Sequence, residues 1–262
     1  MTPKISLRGI GKRFAAPNAE EGAPPLRVLE DFSLDIEAGE FVTIVGPSGC
    51  GKSSLLDIVA GLTQPDAGQV LIDGRAIDAP NLDRGIVFQQ YALLPWLTAL
   101  QNVAFSVRAK GLTRQQSADV AQRYLDLVGL AGFARHYPRQ LSGGMRQRVA
   151  IARSLAHEPG VLLMDEPYGA LDAQTRETLQ NELVRIWRQT RKTIFFITHD
   201  LDEAIYLGTR VAIMSARPGR IRTVLDVPKP DDFLDGDWKS SAEFRQLRHT
   251  VWDLLQQVPL AA

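Results

Sequence analysis

The chain has 262 residues, 45% of them apolar and 23% charged, with 30 Lys+Arg balanced by 30 Asp+Glu, an ordinary globular composition. Zero net charge excludes a bulk field that would gather nucleic acid or an anionic membrane, and the single cysteine, Cys50, excludes an internal disulfide. The start, MTPKISLRGIGKRF, is too polar for a signal peptide, and no apolar run approaches the ~18–20 residues that cross a bilayer. A cytoplasmic protein is predicted, held at a membrane only through a partner.

In chain order, Ile5, Leu7 and, less regularly, Ile10 alternate with polar residues and predict a first strand. Residues 16–25, rich in Pro, Ala and Glu, predict a surface loop. The next segment alternates and then turns continuously apolar at FVTIV (41–45), as a buried parallel strand does. GKSSLLDIVAGL then places Leu55, Leu56, Val59 and Leu62 at helical spacing. Asp73-Gly74 predicts a hairpin turn, and RGIVFQQ another strand. From about Leu97 to Ala156 the pattern is helical. Strand character returns at GVLLMDEP, KTIFFITHD and RVAIMSA, around the helical stretch AQTRETLQNELVRIWRQT. Alternating strands and helices predict a parallel sheet with helices on its faces, and the central helical stretch predicts a second lobe. In the tail, Phe244, Leu247, Val251, Leu254 and Leu255 share a helical face, predicting a helix docked on the core.

Between the FVTIV strand and its helix lie Gly46, Pro47, Ser48, Gly49, Cys50, Gly51, Lys52, Ser53 and Ser54, matching the pattern G-x-x-x-x-G-K-[ST] of a phosphate-binding loop. Glycines at positive φ let successive N–H groups point at anionic oxygens. The helix start adds the positive end of its dipole. Lys52 supplies a mobile charge for the β- and γ-phosphates, and the Ser53 hydroxyl is a hard oxygen ligand suited to Mg²⁺. Cys50, at a variable position, reads as a small filler rather than a nucleophile. The loop alone leaves kinases, GTPases, motors and transport ATPases open.

Two further stretches narrow the choice. VLLMDEP (161–167) is an apolar strand ending in two acids. Asp165 is placed to hold a metal's hydration shell and Glu166 to orient an attacking water, the positioning that phosphoryl transfer requires. LSGGMRQR (141–148) sets Ser142, Gly143 and Gly144 before an Arg- and Gln-rich helix, a second anion-binding helix start. One nucleotide needs only one cradle, so the second predicts a head-to-tail pair of chains.

These stretches, in this order, resemble the ATP-binding subunits of ABC (ATP-binding cassette) transporters over about residues 4–225. VFQQ holds Gln89 where the family has its Q-loop glutamine, GALD ends in Asp172 at the D-loop, ITHD holds the switch histidine His199, and Phe14 stands where an aromatic residue stacks on adenine. The resemblance implies a fold of class α/β: a P-loop NTPase (RecA-like) core with an antiparallel β subdomain and an inserted α-helical signature subdomain. It implies one domain over 1–262, with core about 1–90 and 155–225, helical subdomain about 91–154 and a C-terminal docking helix about 241–257. ATP is the implied substrate, with Mg²⁺ held by Ser53, Gln89 and Asp165. Glu166, His199 and Gln89 are the implied catalytic groups, and the loop, Phe14, Ser142, Gly143, Gly144 and Asp172 the nucleotide contacts. Met145 stands where the signature often has Gln, and Gly169 where the D-loop often has Ser, which puts one polar contact at each in doubt.

One cassette without a span resembles a bacterial importer subunit. Its implied partners are a second copy, a transmembrane permease dimer and an extracytoplasmic solute-binding protein, with no nucleic acid, at the cytoplasmic face of the inner membrane. LLPW, YGALD and SARPGRI resemble the nitrate/sulfonate/taurine branch, and within it taurine or an alkanesulfonate is the expected solute. Tyr91, Leu93, Leu94 and Trp96 in YALLPWLTALQNVAF (91–105) form an apolar cluster that predicts either lobe packing or a groove for a permease helix. A soluble ABC factor acting on nucleic acid and a P-loop kinase are the rival classes. The neutral charge disfavours the first, and the second leaves LSGGMRQR without a use.

Overall fold

The computed structural model describes residues 2–15, 24–234 and 237–256; most of the expected surface loop at 16–25 lies outside them. Along the chain run the strands β1 (Ile5–Phe14), β2 (Leu26–Ile36) and β3 (Phe41–Val45), then helix α1 (Lys52–Ala60). Strands β4 (Ala67–Ile72), β5 (Arg75–Ala76) and β6 (Arg84–Val87) precede helices α2 (Ala99–Arg108), α3 (Arg114–Leu127) and α4 (Gly143–Ala156). The chain continues with β7 (Val161–Asp165), α5 (Ala173–Thr190), β8 (Thr193–Ile197), α6 (Leu201–Leu207), β9 (Arg210–Met214), β10 (Ile221–Asp226) and α7 (Ala242–Gln256). Met1–Asn81 with Thr193–Ala262 form one compact unit, and Leu82–Lys192 a second.

In the first unit, an antiparallel sheet has the order β2-β1-β4-β5. Ile5, Leu7 and Ile10 are all fully buried. The uneven spacing works because the β1–β2 register shifts between Leu7 and Ile10, and a bulge there returns Ile10 to the inner face. The expected hairpin forms: Leu71 pairs with Ala76 and Ile72 with Arg75, while Asp73 and Gly74 both take positive φ, as a type I′ turn requires.

The second sheet of this unit centres on β3, which pairs in parallel with β8 on one side and β9 on the other. All five β3 residues are buried, matching a strand covered on both faces. The sheet is not wholly parallel, because β10 adds antiparallel to β9. Helix α1 buries Leu55, Leu56 and Val59. Leu62, expected on the same face, is instead 48% exposed. The helix closes at a Gly61 cap whose N–H bonds the carbonyls of Asp57 and Ile58, and this cap turns the chain away before Leu62. In α7, Phe244 and Val251 are buried, with Leu247, Leu254 and Leu255 half-buried on the same side. Phe244 packs edge-on against Trp238 at 5.0 Å, and Trp238 meets Phe233 and Tyr206. Residue 257 of the expected tail helix lies outside the described residues.

In the second unit, β6 and β7 pair in parallel from Arg84↔Val161 to Val87↔Met164. Helices α2 and α3 each begin in a capping box, Thr98 with Gln101 and Thr113 with Gln116. The reciprocal bonds satisfy N–H groups that a helix start otherwise leaves unpaired.

Candidate nucleotide site

The expected site residues fall into two sets, one in each unit. In the first unit, β3 ends at Val45 and the loop 46–51 delivers the chain into α1. Gly51, at φ +103, is the N-cap and no side chain caps the helix. A Cβ at Gly51 would lie 2.9 Å from both Val28 and Leu29 side chains, so only glycine fits, on grounds of backbone angle and of space. The start of α1 thus carries no side-chain cap, and an uncapped helix N-terminus is the arrangement that binds phosphate. Lys52 is 7% exposed, and its ammonium donates to the carbonyls of Gly46 (2.8 Å) and Pro47 (3.1 Å). Ser48, Gly49 and Ser53 are on the surface. Cys50 is buried, and desolvation pushes its thiol up, partly offset by the Lys52 charge. A buried neutral thiol agrees with a filler role.

Two other first-unit residues of the expected set lie on accessible surface. Phe14, at the end of β1, is 42% exposed, with the Lys12 ammonium 5.4 Å from its ring centre; it is not a core aromatic. His199 is exposed in the turn between β8 and α6. Beside it Asp200 caps α6 by accepting the Glu203 N–H at 3.1 Å.

In the second unit, Ser142 is the N-cap of α4, its hydroxyl accepting the Met145 N–H at 3.2 Å. A Cβ on Gly144 would lie 2.6 Å from Thr175 Cγ2, so this glycine lets α4 pack closely on α5 as well as baring the helix start. Asp172 caps α5 by accepting the Thr175 N–H at 3.0 Å, and that bond holds its carboxyl below the usual range. The capping use of Ser142 and Asp172 was open to sequence reading, since Ser or Asp before a helical run is a cap signal.

Asp165 ends β7, and Glu166 follows with φ +42. A non-glycine residue in the left-handed region costs roughly 1 kcal/mol or more. The Gly169 N–H donates to the Glu166 carbonyl at 3.2 Å. A Cβ on Gly169 would stand 3.6 Å from that carbonyl and 3.7 Å from Gln89 Nε2. The structure thus gathers Gln89, Glu166 and Gly169 in one place, and the gap left by the absent serine side chain faces Gln89. Within this unit Asp165 and Gln89 offer a carboxylate and an amide oxygen, and in the first unit Ser53 offers a hydroxyl. Each is by its chemistry a hard-oxygen donor of the kind Mg²⁺ takes, an ion that uses few protein ligands and completes its shell with water and phosphate.

After Gln89, Tyr91 and Ala92 both take positive φ. Their carbonyls are bound by Arg153 of α4, at 2.9 and 2.5 Å, and Arg146 lies over the Tyr91 ring at 5.6 Å. The neighbouring surface is apolar. A groove of about 760 Å³ is lined by Leu82, Phe88, Leu94 and Phe105 among others, and Trp96 is 69% exposed. Of the expected apolar cluster, Leu94 lines the groove, whereas Tyr91 and Leu93 are half-buried. Phe105 (57% exposed) and Arg153 were not singled out by the sequence. A helical pattern does not say which apolar residue is left uncovered.

A parallel α/β core entered through a phosphate loop, with a second helix start at Ser142–Gly144, defines a P-loop nucleotide-hydrolysing cassette. The ABC transporter family model matches residues 29–169, and the chain belongs to that family; it is an ABC-type ATPase. It is 48% identical over 98% of its length to an uncharacterized ABC transporter ATP-binding protein of Methanocaldococcus jannaschii, covering 92% of that protein. A nitrate import ATP-binding protein of Synechocystis is 50% identical over 78% of this chain and 77% of its own. A taurine import ATP-binding protein of Roseobacter denitrificans is 42% identical over 97% of this chain and 96% of its own. Among solved structures, a dimeric ATP-binding cassette in a post-hydrolysis state bound to ADP and Pi superposes with a TM-score of 0.73 at 34% identity. That match covers 86% of this chain and 100% of the other. The expected fold, a P-loop NTPase core with antiparallel β and α-helical signature parts, is that of these cassettes.

Proposed function

We propose that this chain is the ATP-hydrolysing subunit of an importer of the nitrate/sulfonate/taurine branch, and that it drives uptake of taurine or an alkanesulfonate. The observation that carries the reading is the end-to-end match to a protein named for taurine import. The nitrate-named relative is matched over a shorter span, which makes nitrate the alternative solute. The importer is completed by a permease dimer and an extracytoplasmic binding protein. The chain then sits at the cytoplasmic face of the inner membrane; among the described residues no helix is long and apolar enough to cross one.

Two chains pair head to tail; that the solved cassette is dimeric supports a pair. Each offers its Ser142–Gly144 helix start to the nucleotide on the other's loop, and Asp172 lies at the same junction. Lys52 and the backbone of the loop 46–54, through the N–H groups of its residues other than Pro47, hold the phosphates, with Phe14 as a platform for adenine. Ser53, Asp165 and Gln89 would hold Mg²⁺, which when bound neutralises charge between the phosphates. Glu166 takes the proton of the attacking water, and His199 donates an N–H to the γ-phosphate. Closing and reopening of the pair moves the permease through a short permease helix in the groove beside Leu94 and Phe105.

The test is a pull-down of tagged Glu166→Gln protein with ATP from gently solubilised membranes. A co-purifying polytopic permease supports the importer reading, and its companion binding protein is then titrated with taurine, alkanesulfonates and nitrate. Recovery of a soluble protein carrying nucleic acid would sink the transport assignment and leave the ATPase.

A further inference from the structure

We propose that Arg217 is a positioning residue of the phosphate loop: it holds the Gly49 carbonyl outward and sets a positive charge beside the phosphates. The inference rests on the reading of residues 46–54 as the ATP site. Its starting point is an imbalance in the loop's own hydrogen bonding. A loop that turns its N–H groups toward an anion must turn carbonyls away from it, and those carbonyls need donors of their own. Lys52 serves Gly46 and Pro47. The next outward carbonyl, Gly49, is served from a distant part of the chain: Arg217 donates to it through Nη2 at 2.9 Å and Nε at 3.2 Å.

Arg217 is mounted on a braced turn. Residues 215–220 lie between β9 and β10. The Ser215 N–H donates to the Arg220 carbonyl, and the Arg220 N–H to the Ser215 hydroxyl, each at 3.0 Å. The Ser215 hydroxyl in turn donates to the Pro218 carbonyl at 2.9 Å. The turn is also tied to β2. The Gly219 N–H donates to the Val28 carbonyl at 2.8 Å, the Glu30 N–H to the Gly219 carbonyl at 3.1 Å, and Arg220 Nη2 meets Glu30 Oε2 at 2.6 Å. Gly219 presses on the phosphate loop itself, since a Cβ there would lie 2.2 Å from the Cys50 carbonyl.

The braced turn fixes the backbone from which Arg217 reaches, and a planar guanidinium gives up less freedom per hydrogen bond than a flexible ammonium would. Its charge is also not spent elsewhere. Among the described residues it forms no ion pair with a carboxylate, so the positive field falls on the loop. The stretch SARPGRI, which carries Arg217, thereby gains a purpose inside the nucleotide site.

The test is titration of Mg-ATP into Glu166→Gln protein, which retains nucleotide, with and without Arg217→Ala and Arg217→Lys. Arg217→Ala should raise Kd about five- to tenfold, the share of a charge-assisted bond at a partly exposed site. Arg217→Lys, with charge but no fork, should recover part of the loss. In the hydrolytic background KM for ATP should rise while kcat changes less than about twofold, as loss of uniform binding does. The melting temperature without nucleotide should move by no more than about 2 °C, as for other surface changes. A Kd for Arg217→Ala within twofold of the parent overturns the proposal, as does a lowered melting temperature with Kd unchanged. If the Glu166→Gln parent itself fails to bind Mg-ATP, the nucleotide reading falls, and the failure is then not that of Arg217.

Discussion

Arg153 on α4 binds the carbonyl of Ala92 at 2.5 Å, so the helix that begins at the signature residues also fixes the loop that follows Gln89. The same guanidinium holds the Tyr91 carbonyl. Its burial disfavours the charged form, a cost offset only while both acceptors stay in place. Arg153→Ala should therefore lower stability by roughly 2–3 kcal/mol and the melting temperature by about 4 °C or more. Calorimetry checks this; an unchanged melt would mean that the loop holds its shape without Arg153.

Trp96 stands 69% exposed on that loop. Trp96→Glu should leave Mg-ATP binding within about twofold and abolish co-purification with the permease, since a charge in an apolar contact costs several kcal/mol. Retained assembly would remove this surface from the interface.

Ser142 caps α4 through the Met145 N–H. Ser142→Ala should cost about 1 kcal/mol and reduce dimer-dependent ATPase activity far more than ATP binding by the single chain. Analytical ultracentrifugation of the Glu166→Gln protein with ATP separates the two effects. Equal losses of binding and dimerisation would argue against a contact across the pair.

Glu166 carries its acid on a left-handed backbone. Glu166→Gly should abolish hydrolysis and yet raise stability by about 0.5–1 kcal/mol, because glycine relieves the strain. A thermal melt below that of the wild type would show that the Glu166 side chain contributes more than its backbone costs.

His157 is 7% exposed, with one ring nitrogen 3.2 Å from the Arg84 carbonyl. Desolvation holds its pKa below the ordinary 6.5. The unfolded chain then binds a proton that the folded chain refuses, so the stabilisation is complete above pH 6.5 and lost as pH falls below it. The drop in melting temperature between pH 7.5 and 5.5 should be smaller in His157→Gln than in the wild type. An equal drop would place the titration elsewhere.

The order of elements was legible because it is local. FVTIV declared a buried strand by composition alone, and the glycines of 46–51 declared a turn into a helix by the backbone angles they permit, with Gly49 and Gly51 at positive φ. Local pattern failed at Leu62, where a glycine cap ends the helix at Ala60, two residues earlier than the apolar spacing implies. The caps made by Ser142 and Asp172 are local too, and a Ser or Asp before a helical run signals them. Tertiary structure alone decided the long-range pairings: Arg217 with a carbonyl 168 residues away, Arg153 with the Ala92 carbonyl 61 residues away, and Gly169 beside Gln89. A guanidinium can serve any carbonyl that the fold brings within 3 Å, and nothing in its sequence neighbours says which. Spacing along the chain records which backbone shapes are allowed; only the folded chain records which donors meet which acceptors.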